Sequence, residues 1–167
     1  MVQDSVYCFE AKGALDIAAS KSHKIPGLKA FLEAQAKSYE EYYEDLYKEW
    51  HIKSANGICL NSACQNYVDE LTSVAKDYDP IYLVAACIPC AKLWPWLGQE
   101  LHNSQHNFGC YGTWVDENFN PTSVSYKKLE AFVNAAYVEK MIDEATLTKI
   151  YSTCMQCEAD FFGSATA

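Results

Sequence analysis

The sequence predicts an all-α fold, a helical bundle forming one domain. Three observations carry this. Apolar residues return every three or four positions through nearly the whole chain, the period of a helix buried along one face. No stretch alternates apolar and polar residues as a half-buried strand would. The 167 residues are 50% apolar and 21% charged, which fills a single core without disulfide staples.

The elements follow in order. Segment 3–20 carries Val6, Tyr7, Phe9, Leu15 and Ile17, and the chain then breaks over Lys21–Gly27, where Pro26-Gly27 ends helical continuity. Segment 28–50 spaces Leu28, Phe31, Leu32, Tyr39, Tyr42, Tyr43, Leu46, Tyr47 and Trp50 at helical intervals with Glu and Lys between them. A loop with Asn56-Gly57 follows. Segment 61–77 opens on Asn61 or Ser62 as a cap and carries Cys64, Tyr67, Val68, Leu71 and Val74. Asp79-Pro80 reads as a cap followed by a first-turn proline. The helix after it, to about His102, is the most apolar, and Pro89 and Pro95 inside it predict a kink or break. Residues 103–110 form a polar loop, and a short aromatic stretch covers 111–119. Helices at about 121–139 and 143–163 complete the chain.

Charge excludes several functions. The chain has 22 acidic residues and 13 basic ones, all lysine, for a net charge of −9. An acidic protein without arginine is poorly suited to nucleic acid, where phosphate neutralisation supplies much of the affinity. It also lacks the bidentate fork used on phosphates. The apolar run Ile81–Ala91 is too short to span a bilayer. No basic stretch followed by an apolar one opens the chain, so the expected location is cytoplasmic, away from membranes. In that reducing setting the eight cysteines are expected to be mostly free, packing as small hydrophobes.

Candidate chemistry sits where a polar group interrupts an apolar face. The stripe of the last helix runs Leu147, Tyr151, Cys154, Glu158, Phe161, so Glu158 points inward. Burial raises a carboxyl pKa, as a general acid/base requires; a buried glutamate can equally cap a helix or bond a tyrosine. The stripe Leu83, Cys87, Cys90, Trp94, Leu97 puts Cys90 just after Pro89. Unpaired backbone donors at such a kink can lower a thiol pKa, and the alternative is a core cysteine. Asp4 shares a face with Tyr7, Cys8 and Ala11, either as a ligand anchor or as a partner of the helix dipole. Tyr67 lies on the stripe Ala63, Cys64, Tyr67, Leu71, where core packing is the default. Two CxxC pairs, Cys87–Cys90 and Cys154–Cys157, admit a weaker zinc or redox reading, but both fall in apolar helices instead of tight turns.

Taken together, these motifs resemble the TenA/thiaminase II family. Gln3-Asp4-Ser5-Val6-Tyr7 resembles its Gln-Asp-x-x-Tyr motif. Ala85-Ala86-Cys87-Ile88-Pro89-Cys90-Ala91-Lys92-Leu93-Trp94, continued by Leu97-Gly98-Gln99-Glu100-Leu101, resembles its central Pro-Cys motif. Tyr111-Gly112-Thr113-Trp114-Val115 resembles its Tyr-x-x-Trp-Ile element, and Glu158-Ala159-Asp160-Phe161-Phe162 its closing Glu-x-x-Phe-Trp. The four fall in family order and span nearly the whole chain.

The resemblance implies the haem-oxygenase-like all-α bundle and hydrolytic release of an amine from the methylene of an aminopyrimidine such as thiamin, with no cofactor and no metal. Cys90 would be the nucleophile and Glu158 the general acid/base. Asp4 would bind the ring nitrogen and exocyclic amino group, Tyr7 would pack by the ring, and Tyr67, 23 residues before the cysteine, would contact substrate. Trp94 and Asn118 stand in the substrate pocket where the family commonly has tyrosine. The chain begins at the Gln-Asp motif, so the family's first long helix is expected to be missing and its apolar face covered by a partner. A homo-oligomer, tetramer or dimer, is expected. The alternative function is a non-catalytic small-molecule binder or oligomeric regulator on the same bundle.

Overall fold

The computed structural model describes residues 2–21, 24–104, 106–119 and 125–166. Among these residues seven α-helices run in order: α1 (Val2–Ser20), α2 (Leu28–Glu49), α3 (Ser62–Asp77), α4 (Pro80–Asn103), α5 (Gly112–Asn118), α6 (Ser125–Val138) and α7 (Glu144–Gly163). Short 3₁₀ turns at Gly109–Tyr111 and Ser164–Thr166 flank them, and no strand occurs among the described residues. The helix starting near 121 in the sequence reading begins at Ser125; residues 120–124 lie outside the described ones.

The helix ends follow local chemistry. Gly27, at φ 79°, adopts the left-handed conformation that an L side chain resists, and α2 starts directly after it. The Asn61 side chain accepts the Cys64 N–H at 2.8 Å to cap α3. Asp79 accepts from Ile81 N–H at 3.3 Å to cap α4, with Pro80 in the first turn where its missing donor is harmless. Asp143 caps α7 through the Thr146 N–H at 2.7 Å. The C-terminal carbonyls Lys76 and Tyr78 of α3 and its cap accept from Lys21 Nζ, each at 2.7 Å, which ties the end of α1 to the end of α3.

Helix α4 is central. It packs on α3, α5, α6 and α7, while α1 packs on α2 and α3, and α3 on α7. Ile81, Leu83, Val84, Ala85 and Ala86 are all nearly or fully buried. Each large aliphatic among them contributes about 1.5–3 kcal/mol relative to exposure. Of the kink or break expected at the prolines, the break does not occur: α4 continues as one helix through Pro89 and Pro95. Packing along α4 from several sides supplies what two lost intrahelical hydrogen bonds remove. The helix is long and apolar enough to cross a membrane, although the apolar run counted from sequence is much shorter. Half of its most apolar window is buried against the other helices, as in a core helix.

Candidate functional site

Three helices bring the polar exceptions together. Asp4 enters from the first turn of α1, Cys90 from the middle of α4, and Glu158 from the last turns of α7. Asp4, Cys90 and Glu158 are 8%, 7% and 3% exposed, so each holds its polar atoms away from bulk water. Asp4 and Cys90 line one cavity of about 300 Å³, and Tyr7, Cys8, Tyr39 and Trp94 line it too. Glu158 does not line that cavity, but its carboxyl is close enough to act electrostatically on the Cys90 thiol. Its Oε1 accepts from the Tyr67 hydroxyl at 2.7 Å. Trp94 donates its indole N–H to Cys90 Sγ at 3.0 Å. The result is two bonded pairs, Tyr67 with Glu158 and Trp94 with Cys90, whose carboxyl and thiol influence each other.

The aromatics frame this chain. The Tyr7 and Tyr67 rings lie 4.8 Å apart, and Tyr7 reaches Phe161 at 6.0 Å. Tyr67 is fully buried, so its hydroxyl must find a partner inside the protein, and Glu158 supplies it. Both readings of Glu158 therefore meet in one residue: it faces inward and it bonds a tyrosine. Asp4 is too buried to act merely as a solvated partner of the helix dipole.

Burial sets the protonation states. It raises the Asp4 carboxyl from 3.8 to about 6. It raises Glu158 as well; the hydrogen bond from Tyr67 and the nearby Cys90 thiol pull the other way, and Asp4 adds to the rise. The Cys90 thiol is pushed well above its ordinary range by burial, then by Glu158 and Asp4, against the single opposing hydrogen bond from Trp94. This differs from the lowering expected of a thiol beside a proline kink. The cause is the neighbourhood: two carboxyls and a dry wall outweigh any local backbone donors. Cys90 is therefore a neutral thiol at rest, with a neighbouring carboxyl, Glu158, near enough to influence its proton.

Of the residues singled out from sequence, Asp4, Tyr7, Tyr67, Cys90, Trp94 and Glu158 come together in this region. The Asn118 side chain lies outside the described residues. Tyr39 and Cys8 were not assigned to the site from sequence, yet both line the cavity. Tyr39 sits on the inward stripe of α2, a pattern indistinguishable from core packing; Cys8 adjoins Asp4 on α1's inner face, which was a usable signal. The second CxxC pair stays in the packed interface of α4 and α7, where Cys154 is fully buried. Among the described residues no three His, Cys, Asp or Glu side chains gather as metal ligands.

A second, larger cavity of about 650 Å³ adjoins the first, and Asp4 and Trp94 line both. Its other walls include Leu97, Leu101, Phe108, Tyr111, Phe161 and Phe162. At its rim, Gln3 Oε1 accepts the Asn61 N–H at 2.8 Å, and Asn61 Nδ2 donates to Ser164 Oγ at 3.0 Å. Gln3 of the Gln-Asp pair thus fastens the start of α1 to the start of α3.

Comparison with known proteins places the fold. The chain is similar to the X-ray structure of a TenA homologue from Pyrococcus furiosus, with a TM-score of 0.71 and 16% sequence identity over 95% of this chain and 76% of that one. No protein-family model matches the chain, and no curated protein sequence does. The fold is therefore the TenA-like, haem-oxygenase-like helical bundle that the sequence motifs imply.

Proposed function

We propose that this chain hydrolyses an aminopyrimidine, releasing an amine from the ring's methylene substituent by covalent catalysis at Cys90. The observation that carries the reading is a thiol and a carboxyl, Cys90 and Asp4, lining one cavity, with the buried Glu158 carboxyl close enough to act on that thiol. Asp4 accepts the exocyclic amino group and shares a proton with the ring nitrogen, a role suited to a carboxyl titrating near 6. Tyr7 and Trp94 offer ring faces for a flat heterocycle.

The steps follow from the contacts. Cys90 Sγ adds to a ring carbon while its proton passes to Glu158. Glu158 then protonates the departing amine as the carbon–nitrogen bond breaks, leaving an exocyclic methylene. Water adds its oxygen there, Glu158 takes its proton, and the carbon–sulfur bond breaks to return the thiol. The sum is one water consumed, one amine and one hydroxymethyl pyrimidine released. Tyr67 holds Glu158 in place throughout, and Trp94 steadies negative charge on the sulfur.

The test is turnover of 4-amino-2-methyl-5-aminomethylpyrimidine and of thiamin, wild type against Cys90→Ser. Release of the hydroxymethyl pyrimidine is expected from the wild type, with a loss on the order of 1,000-fold in the variant. Full activity in Cys90→Ser would exclude covalent catalysis. Tight pyrimidine binding with no turnover in either protein would instead favour the non-catalytic binder.

A further inference from the structure

We propose that the larger cavity is the leaving-group subsite of this centre and selects an amine carrying an apolar, phosphate-free substituent. This rests on the aminopyrimidine reading above, which puts the ring in the smaller cavity. Asp4 and Trp94 line both spaces, so a ring held on Asp4 lies at their boundary. Once the ring fills the smaller space, the larger one has the room for whatever the methylene carries.

The walls decide what that is. Four aromatic residues, Phe108, Tyr111, Phe161 and Phe162, line the chamber together with Trp94, and the Trp94 and Phe162 rings lie 5.3 Å apart. The polar groups at the rim, Gln3, Asn61 and Ser164, already bond one another. Among the described residues no lysine or histidine lines the chamber, and the chain has no arginine. Among the described residues its one charged lining side chain is Asp4, which is 8% exposed and whose carboxyl has no hydrogen-bond partner among them. A phosphate would be desolvated against a carboxylate with no cationic side chain among the described lining residues to offset it. An apolar or aromatic amine meets ring faces and one acceptor, a combination that favours organic amines.

The experiment uses three pyrimidines that differ only in the amine on the methylene: ammonia, benzylamine and 2-aminoethyl phosphate. Each is assayed with the wild type and with Ala165→Trp, which fills the chamber from its exposed rim and lies outside the smaller cavity's lining. The wild type is expected to turn over the benzylamine compound at least tenfold better in kcat/KM than the ammonia parent, and a hundredfold better than the phosphate compound. Ala165→Trp is expected to lose the tenfold advantage and keep the parent's rate. Equal rates for the benzylamine and parent compounds in the wild type, or a preference for the phosphate compound, overturn the proposal. Calorimetry with benzylamine alone reads the chamber without chemistry. Binding that Ala165→Trp weakens at least tenfold, with none of the pyrimidines turned over, keeps the chamber as an apolar-amine site and removes only the aminopyrimidine reading. No benzylamine binding in that case overturns the subsite as well.

Discussion

Glu158 accepts from Tyr67 and lies near the Cys90 thiol and the Asp4 carboxyl, and each neighbour moves its proton affinity in a known direction. If it shuttles protons in the transition state, Glu158→Gln loses kcat on the order of 100-fold while KM changes little, as steady-state kinetics will read. An equal loss of affinity would make it a binding contact instead. Tyr67→Phe removes a hydrogen bond that favours the ionised carboxylate. The pKa of Glu158 then rises further, and the limb of the pH–rate profile that it governs moves to higher pH. At Asp4 the sign runs through stability. Its folded-state pKa of about 6 lies above the ordinary 3.8, so the folded form is favoured most while the carboxyl is protonated. That advantage is lost as pH rises from about 4 through about 6. Ionised Asp4 therefore costs the fold on the order of 2–3 kcal/mol at neutral pH. Asp4→Asn is expected to raise neutral-pH stability by urea denaturation, to lose that gain as pH falls toward 4, and to weaken pyrimidine binding. No gain at neutral pH would mean that the burial cost is met elsewhere.

At the scale of elements, the site depends on the joints that place α1, α4 and α7. Asn61 ties two of them together through α3: its side chain caps α3 and reaches Ser164 after α7, and its N–H bonds Gln3 on α1. Asn61→Ala removes the cap and the Ser164 bond together. A loss of about 1–2 kcal/mol is expected, seen as a lower urea midpoint with an unchanged slope. A midpoint shift near zero would mean that water replaces both bonds. Tyr82 does similar work on the other side, its hydroxyl accepting the Asp143 N–H at 2.7 Å and so binding α4 to the start of α7. These joints fix where Cys90 and Glu158 meet.

Across the whole molecule, the surface keeps several large apolar groups in water. Trp96 is 57% exposed, and the neighbours Tyr137 and Val138 are 49% and 74% exposed. Apolar surface of this kind is commonly covered by another chain. Self-association is the expected outcome, with light scattering returning twice or four times the 18.8 kDa chain mass. A single-chain mass at micromolar concentration would count against it. The acidic surface meanwhile repels phosphate-rich partners, in keeping with a small organic substrate.

The amino-acid order alone determined the helices and most of their ends. Helical periodicity and short-range caps are local properties, written in residues three or four apart, as at Asn61, Asp79 and Asp143. It also marked Glu158, Cys90 and Asp4, because a polar group on an apolar stripe is visible in one dimension. Tertiary structure decided the rest. That α4 runs through Pro89 and Pro95 depends on packing from other helices. That Cys90 is a neutral thiol depends on carboxyls 86 positions before it and 68 after it in the chain. Tyr39, Cys8 and the aromatic chamber became site residues only when the bundle left space beside them. An inward-facing side chain looks the same in sequence whether it meets another side chain or a cavity, since a cavity is made by what distant segments fail to fill.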